Sequence, residues 1–91
     1  DDLINILTYL RDDFRINPRG RREMITEIGI VAGDIWHFLD QHKEVTLSEL
    51  VRGIDKPRDN ILMSLGWLAR EGHVILQHTE DDYVISLRKN V

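Results

Sequence analysis

VTLSELVRGIDKPRDNILMSLGWLAREG, residues 45–72, contains the pattern that decides the fold. Near its start, Thr46 and Glu49 stand three residues apart at the beginning of an apolar run, which is the spacing of a capping box. In that arrangement each side chain accepts a hydrogen bond from the backbone N–H of the other residue. The pattern therefore predicts a helix that begins after Thr46 and ends near Gly53.

A second helix is predicted over residues 56–71. Asp55 is expected to cap it, because aspartate accepts hydrogen bonds from the first N–H groups of a helix, and Pro57 suits the first turn. Gly72 is expected to end it. Helical spacing turns one apolar side of this helix toward a core: Ile61, Leu62, Leu65, Leu68 and Ala69.

The flanking sequence predicts one more helix and three strands. Residues 26–41 repeat apolar side chains at helical spacing: Ile28, Val31, Ile35, Phe38 and Leu39. A short strand is expected over residues 43–46, and a hairpin over residues 73–78 and 83–88. Alternation turns one set of hairpin side chains inward: Val74, Leu76, Tyr83, Ile85 and Leu87. This order predicts an α+β fold, mostly helical, with a three-helix core and a two- or three-stranded β-wing.

Residues 1–23 are expected to precede this domain, residues 24–91, as an extra amphipathic helix and a basic linker. The helix would span residues 2–14 with one apolar stripe: Leu3, Ile6, Leu7, Leu10 and Phe14. Because so short a helix is marginal alone in water, we expect it to dock across the two-fold axis of a homodimer. The chain begins with Asp1 rather than Met, so we also expect it to be trimmed from a longer one.

Gly29, Gly33 and Trp36 share a second stripe of the helix predicted over residues 26–41. A glycine inside a helix costs about 1 kcal/mol relative to alanine. Two of them predict either that the helix starts later or that another backbone approaches closely, and we favour the close approach. The approaching backbone would belong to the N-terminal helix or to a partner chain. The spacing also resembles a membrane-helix contact motif, but Asp34 and His37 exclude a membrane helix.

Composition and charge limit the classes of function that this chain can have. The 91 residues are 42% hydrophobic and 31% charged, as in an ordinary globular domain. The whole net charge of −4 falls in residues 24–91, which hold seven basic and eleven acidic groups. DNA-binding domains are more often basic. The absence of cysteine fits a reducing cytoplasm, and no apolar run approaches the roughly 18 residues of a membrane span.

Three strings carry a family resemblance: EIGIVAGDIWHFLD (27–40), VTLSELVRGID (45–55) and LMSLGWLAREGHV (62–74). Together with the closing strand pair, over about residues 24–88, they resemble a small winged helix-turn-helix family of bacteria and archaea that is described only as a domain of unknown function. The resemblance implies the fold. It implies DNA binding only through the habit of the wider superfamily, because fold alone does not give function.

The second helix of a helix-turn-helix enters the major groove of DNA, so its outward residues are the candidates for base contacts. Asn60 suits adenine, and Arg70 suits guanine or a phosphate. Lys56 and Arg58 stand at the helix start, where a phosphate backbone would pass. Four linker arginines are either solvated or a phosphate-binding arm: Arg15, Arg19, Arg21 and Arg22.

The remaining outward residues favour a protein partner. Met63, Gly66 and Trp67 offer little hydrogen bonding, whereas tryptophan is enriched at protein interfaces and methionine adapts to irregular surfaces. The alternative for Trp67 is a place in the core. The acidic hairpin turn, residues 79–82, either repels a DNA backbone or is ordinary solvated turn chemistry.

No catalytic or cofactor pattern is present. The histidine pairs His37 and His42, and His73 and His78, are each five residues apart, which does not place them on one face as metal ligands. We therefore expect no metal, no cofactor and no enzymatic activity, and the histidines are taken as surface or partly packed residues.

Two functions stay open. The first is a DNA-binding transcriptional regulator, dimeric and cytoplasmic, that uses Asn60 and the cationic residues named above. The second is a protein-interaction module, for dimerisation or as an adaptor, on the same scaffold. Its candidate surfaces are in three groups: Met63, Gly66 and Trp67; Gly29, Gly33 and Trp36; and Leu3, Leu7 and Leu10. Neither function involves a membrane or a small-molecule ligand.

Overall fold

A computed structural model describes residues 20–88, which form three helices and a three-stranded antiparallel sheet. In chain order the elements are α1 (Ile25–His42), β1 (Glu44–Thr46), α2 (Leu47–Gly53), α3 (Arg58–Arg70), β2 (Val74–His78) and β3 (Tyr83–Leu87). The predicted winged-helix architecture is confirmed for this part of the chain. The predicted N-terminal helix, with Leu3, Leu7 and Leu10, and the linker arginines Arg15 and Arg19 lie outside the described residues.

The start of α2 follows the capping box that its sequence predicts. The Glu49 N–H donates to Thr46 Oγ1 at 3.1 Å, and the Thr46 N–H donates to Glu49 Oε1 at 2.9 Å. The predicted cap of α3 is wrong: Pro57 occupies the N-cap position, and no side chain among residues 20–88 makes a capping hydrogen bond to this helix. Because α3 begins only at Arg58, Asp55 stands two positions too early to reach the first N–H groups.

The sheet places β3 between β1 and β2, with both pairings antiparallel. Ile85 stands opposite Val45 on one side and Leu76 on the other. The short strand β1 leads directly into α2, so this pairing fixes the beginning of α2 beside the hairpin.

The core lies between α1, α3 and the inner face of the sheet, and several of its side chains are fully buried: Val31, Ile35, Leu39, Leu50, Ile61, Val74 and Ile85. On α3 the buried side is rotated relative to the prediction. Leu62, expected inside, is 38% exposed, whereas Ser64 is buried. The reason is that α1 lies along the Asn60–Ser64 side of α3, where the Asn60 amide donates to Glu27 of α1 at 3.3 Å.

The inner face of the hairpin is as predicted, but its burial does not extend to the tip. Val74 and Ile85 are buried, whereas Leu76 is 40% exposed and Tyr83 is also exposed. The alternation is correct, since these residues share one face of the sheet. The outer half of the hairpin is exposed because it extends beyond the core as a wing. There the Tyr83 ring stacks on the His78 ring, with their centroids 4.6 Å apart.

Candidate interaction surface on the third helix

The outward side of α3 carries an apolar patch, which we call the α3 face: Leu62, Met63, Gly66 and Trp67. Met63 is 44% exposed and Trp67 is 48% exposed, so neither side chain belongs to the core. The Trp67 ring contacts only His73 among the described aromatic rings, with centroids 6.4 Å apart. A Cβ at Gly66 would meet no described atom within 4 Å, so the middle of this face is open.

Two residues that were predicted to contact DNA, Asn60 and Arg22, are both bound by the carboxylate of Glu27. Glu27 of α1 accepts a hydrogen bond from the Asn60 amide through Oε2 and forms an ion pair with Arg22 through Oε1. Asn60 is half-buried at this junction. Sequence reasoning missed Glu27, because nothing local in the sequence links it to a residue 33 positions away.

The other predicted cations among residues 20–88 lie in α3, just before it, and before α1. Lys56 Nζ lies 3.8 Å from Asp34 Oδ2 of α1. Arg58 and Arg70 are exposed at the two ends of α3, and neither forms an ion pair within residues 20–88. Arg21 is also exposed. Among residues 20–88, the structure therefore does not gather the predicted cations into one patch on α3.

Comparison with known proteins settles the family. Residues 22–87 match the model of a family described as a winged helix-turn-helix domain, DUF2582. The chain belongs to this family. An uncharacterized protein of Methanocaldococcus jannaschii, MJ1608, is 33% identical over 69 residues, which cover 72% of this chain and 97% of the relative. The solution NMR structure of protein BT2368 from Bacteroides thetaiotaomicron is similar with a TM-score of 0.60 at 28% identity, covering 67% of this chain and 74% of that one.

In a winged helix-turn-helix domain that binds DNA, the helix equivalent to α3 lies in the major groove and the wing approaches the backbone. Here the wing turn is acidic. Glu80 and Asp81 are exposed, and Asp82 is used internally: its carboxylate accepts hydrogen bonds from Ser48 Oγ and from the Tyr83 N–H, both at 2.7 Å. The pKa of Asp82 is lowered, first by the Ser48 hydroxyl and then by the Tyr83 N–H.

A second apolar surface of this winged-helix domain lies on α1, and we call it the α1 face: Ile25, Gly29, Ile30, Gly33 and Trp36. The three large side chains are exposed. The predicted close approach at the glycines does not occur within the described residues, because a Cβ at either glycine would meet nothing within 4 Å. The sequence prediction missed the two isoleucines, since Ile25 stood just outside the predicted helix and Ile30 outside its core stripe.

The four histidines each lie beside an aromatic ring, in the pairs His37–Trp36, His42–Phe38, His73–Trp67 and His78–Tyr83. Within residues 20–88 no three His, Cys, Asp or Glu side chains are arranged to hold a metal ion. None of the helices in that span has the length and apolar character needed to cross a membrane.

A surface cleft of about 490 Å³ lies between the C-terminal half of α1 and the turn joining α2 to α3. Its walls include Phe38, Gly53 and the Asp34–Lys56 pair. The two charged groups of that pair neutralise each other across the cleft, and we assign the cleft no ligand.

Proposed function

We propose that this winged helix-turn-helix domain is a protein-interaction module that pairs with a second copy of itself through the α3 face. The observation that supports this most directly is the exposure of Leu62, Met63 and Trp67 on one side of a single helix. The solvent side of a surface helix is normally polar. A cluster of large apolar side chains there is typical of an interface, and tryptophan dominates the binding energy of many interfaces.

The charges beside the α3 face make it complementary to itself. Asp59 and Arg70 are eleven residues apart, which at about 100° per residue places them within roughly 20° of each other on one side of the helix. Both are exposed, and neither forms an ion pair within the described part of the chain. When two α3 helices pack antiparallel about a two-fold axis, each Asp59 lies opposite Arg70 of the other copy. Gly66, near the centre, lets the helices approach closely.

DNA binding by a transcriptional regulator is the second candidate function. It is favoured by the family fold and by Arg58 and Arg70, which stand at the two ends of α3. It is weakened by the engagement of Asn60 with Glu27, by the Lys56–Asp34 pair and by the acidic wing turn. Since the proposed pairing and groove binding use the same side of α3, they compete for one surface.

Sedimentation equilibrium at micromolar concentration tests the self-pairing. We expect the wild-type chain to be a dimer, and we expect Arg70→Asp to weaken dimerisation at least tenfold because it places two carboxylates opposite each other. The double variant Asp59→Arg with Arg70→Asp restores opposite charges and should recover most of the affinity. Arg88→Asp is the matched control, since it makes the same change of net charge at an exposed site off α3.

A stable monomer at these concentrations would overturn the proposal. A dimer whose affinity is unchanged by Arg70→Asp and by Trp67→Ala would also overturn it, because dimerisation would then use another surface.

A further inference from the structure

We infer that residues 2–14 of the same chain cover the α1 face as an antiparallel helix. This inference is independent of the self-pairing through α3, which uses another side of the domain. It starts from the exposure of the α1 face, where Ile25, Ile30 and Trp36 (42% exposed) have no cover within residues 20–88.

Because its two glycines lack side chains, we expect the α1 face to form a shallow groove that suits a second helix. Gly29 and Gly33 lie one turn apart on the same side of α1, and the space above both is open among the described atoms. At helical spacing Ile30 lies along one edge of this glycine floor, and Trp36 lies along the other. Glycines at such positions let two helix backbones approach closely, which offsets the cost of having them inside a helix.

The predicted N-terminal helix matches this groove in length and in residue size. Leu3 and Phe14 are eleven residues apart, as are Ile25 and Trp36, so both pairs span about 16.5 Å along a helix. When Phe14 is placed antiparallel beside Ile25, Leu3 falls beside Trp36. In the same register Leu10 stands opposite Gly29 and Ile6 opposite Gly33, so that large side chains of one helix fill the spaces above the glycines of the other.

The connection favours docking within one chain. Residues 15–24 join the two helices and span up to about 33 Å when extended, well beyond the 8–10 Å between packed helices. Gly20, in this connection, adopts φ 74°, a left-handed conformation that suits a change of chain direction. A short covalent link also gives the segment a millimolar effective concentration at its own groove. The same segment of a second copy, present at micromolar concentration, is far too dilute to compete for this groove.

An engineered disulfide in the full-length chain tests the contact, because the protein has no cysteine of its own. Leu10→Cys combined with Gly29→Cys should oxidise rapidly to a crosslink that leaves the mass of a single chain on a non-reducing gel. Close helix packing brings these Cα atoms near the usual disulfide range. Leu10→Cys with Arg52→Cys, on α2, is the control and should stay reduced. Crosslinked dimers would assign the groove to a second copy, and no crosslink in folded protein would overturn the docking.

Thermal unfolding provides a second, independent readout. On an open helix surface Gly33→Leu should raise the Tm, because leucine is the better helix former. Beneath a docked helix the same change should lower the Tm through overlap with Ile6, and adding Ile6→Ala should restore part of it. A raised Tm in the full chain would contradict the inference. Neither outcome bears on the α3 face, whose test is the charge reversal at Arg70.

Discussion

Single residues on α3 acquire their roles from the helix that packs beside them. Ser64 and Leu62 are two residues apart, and by polarity alone leucine belongs inside and serine outside. The structure reverses them, burying Ser64 and exposing Leu62, because α1 lies along the serine side. Within the described part of the chain the buried Ser64 hydroxyl has no hydrogen-bond partner. The same rotation adds Leu62 to the outward residues Met63, Gly66 and Trp67, and so completes the α3 face.

Glu27 makes contacts that the sequence offers no reason to expect. Its carboxylate joins Arg22, just before α1, to Asn60 on α3. An exposed ion pair contributes little to stability, typically less than about 1 kcal/mol. Both partners of Glu27, Arg22 and Asn60, are among the residues predicted to contact DNA.

At position 53 glycine is required because the neighbouring Phe38 side chain leaves no room for a Cβ, and not because of its backbone conformation. A Cβ at this position would overlap the Phe38 ring, which packs on the core and stacks on His42 at 4.1 Å between centroids. We therefore expect Gly53→Ala to lower the free energy of unfolding by about 1–2 kcal/mol, the usual cost of overpacking. Urea denaturation of the dilute protein measures it.

A double-mutant cycle identifies the cause. In a Phe38→Leu background the smaller side chain leaves room, so Gly53→Ala should cost clearly less there than in the wild type. An equal cost in both backgrounds would show that Phe38 is not the obstacle.

At the scale of elements, α2 is fixed at its N-terminus by two separate devices. The first is the local capping box of Thr46 and Glu49. The second is the hydrogen bond from Ser48 to Asp82, which joins α2 to the wing across 34 residues of sequence. Both use a carboxylate whose pKa the folded protein lowers: that of Glu49 chiefly through the Thr46 N–H, and that of Asp82 chiefly through the Ser48 hydroxyl.

These lowered pKa values give stability a defined dependence on pH. Because the folded state holds both carboxylates charged more strongly than the unfolded chain does, the unfolded chain binds protons more readily. The contribution is therefore complete above the unfolded pKa values, near about 4, and is lost as pH falls through the folded ones.

Thr46→Ala tests the local device. We expect it to lower the free energy of unfolding by about 1 kcal/mol at pH 7, the usual value of an N-cap. We also expect a weaker decline in stability between about pH 5 and pH 3, since Glu49 loses the hydrogen bond that lowers its pKa. Thr46→Ser keeps the acceptor oxygen and should behave like the wild type. An acid dependence that is identical in all three proteins would contradict this account.

At the scale of the whole molecule, charge is the property on which the two candidate functions differ most. The net charge of −4 falls in residues 24–91, and the wing turn adds exposed carboxylates where a DNA backbone would pass. Lys56, one of the few cations near the start of α3, is paired with Asp34. Long-range attraction to phosphate is therefore weak for the folded domain.

We accordingly expect random duplex DNA to show no saturable binding at micromolar protein in about 150 mM salt, as measured by fluorescence anisotropy. Binding at about 50 mM salt that falls steeply with added salt, and that is lost when Arg19, Arg21 and Arg22 are changed to Ala, would support the DNA-binding function instead. Glu27→Ala is an informative companion, because freeing Asn60 should strengthen such binding if α3 enters a groove.

The sequence by itself determined every element between residues 20 and 88, each within two residues of its observed bounds, because capping, turn and periodicity signals are local. It also determined the family and which face of each hairpin strand points inward. Only the tertiary structure decided the rotation of α3, the junction at Glu27, the bond between Ser48 and Asp82, and the openness of the α1 and α3 faces. Those features depend on which surfaces meet across long stretches of chain, and residue periodicity carries no information about the partner of a surface.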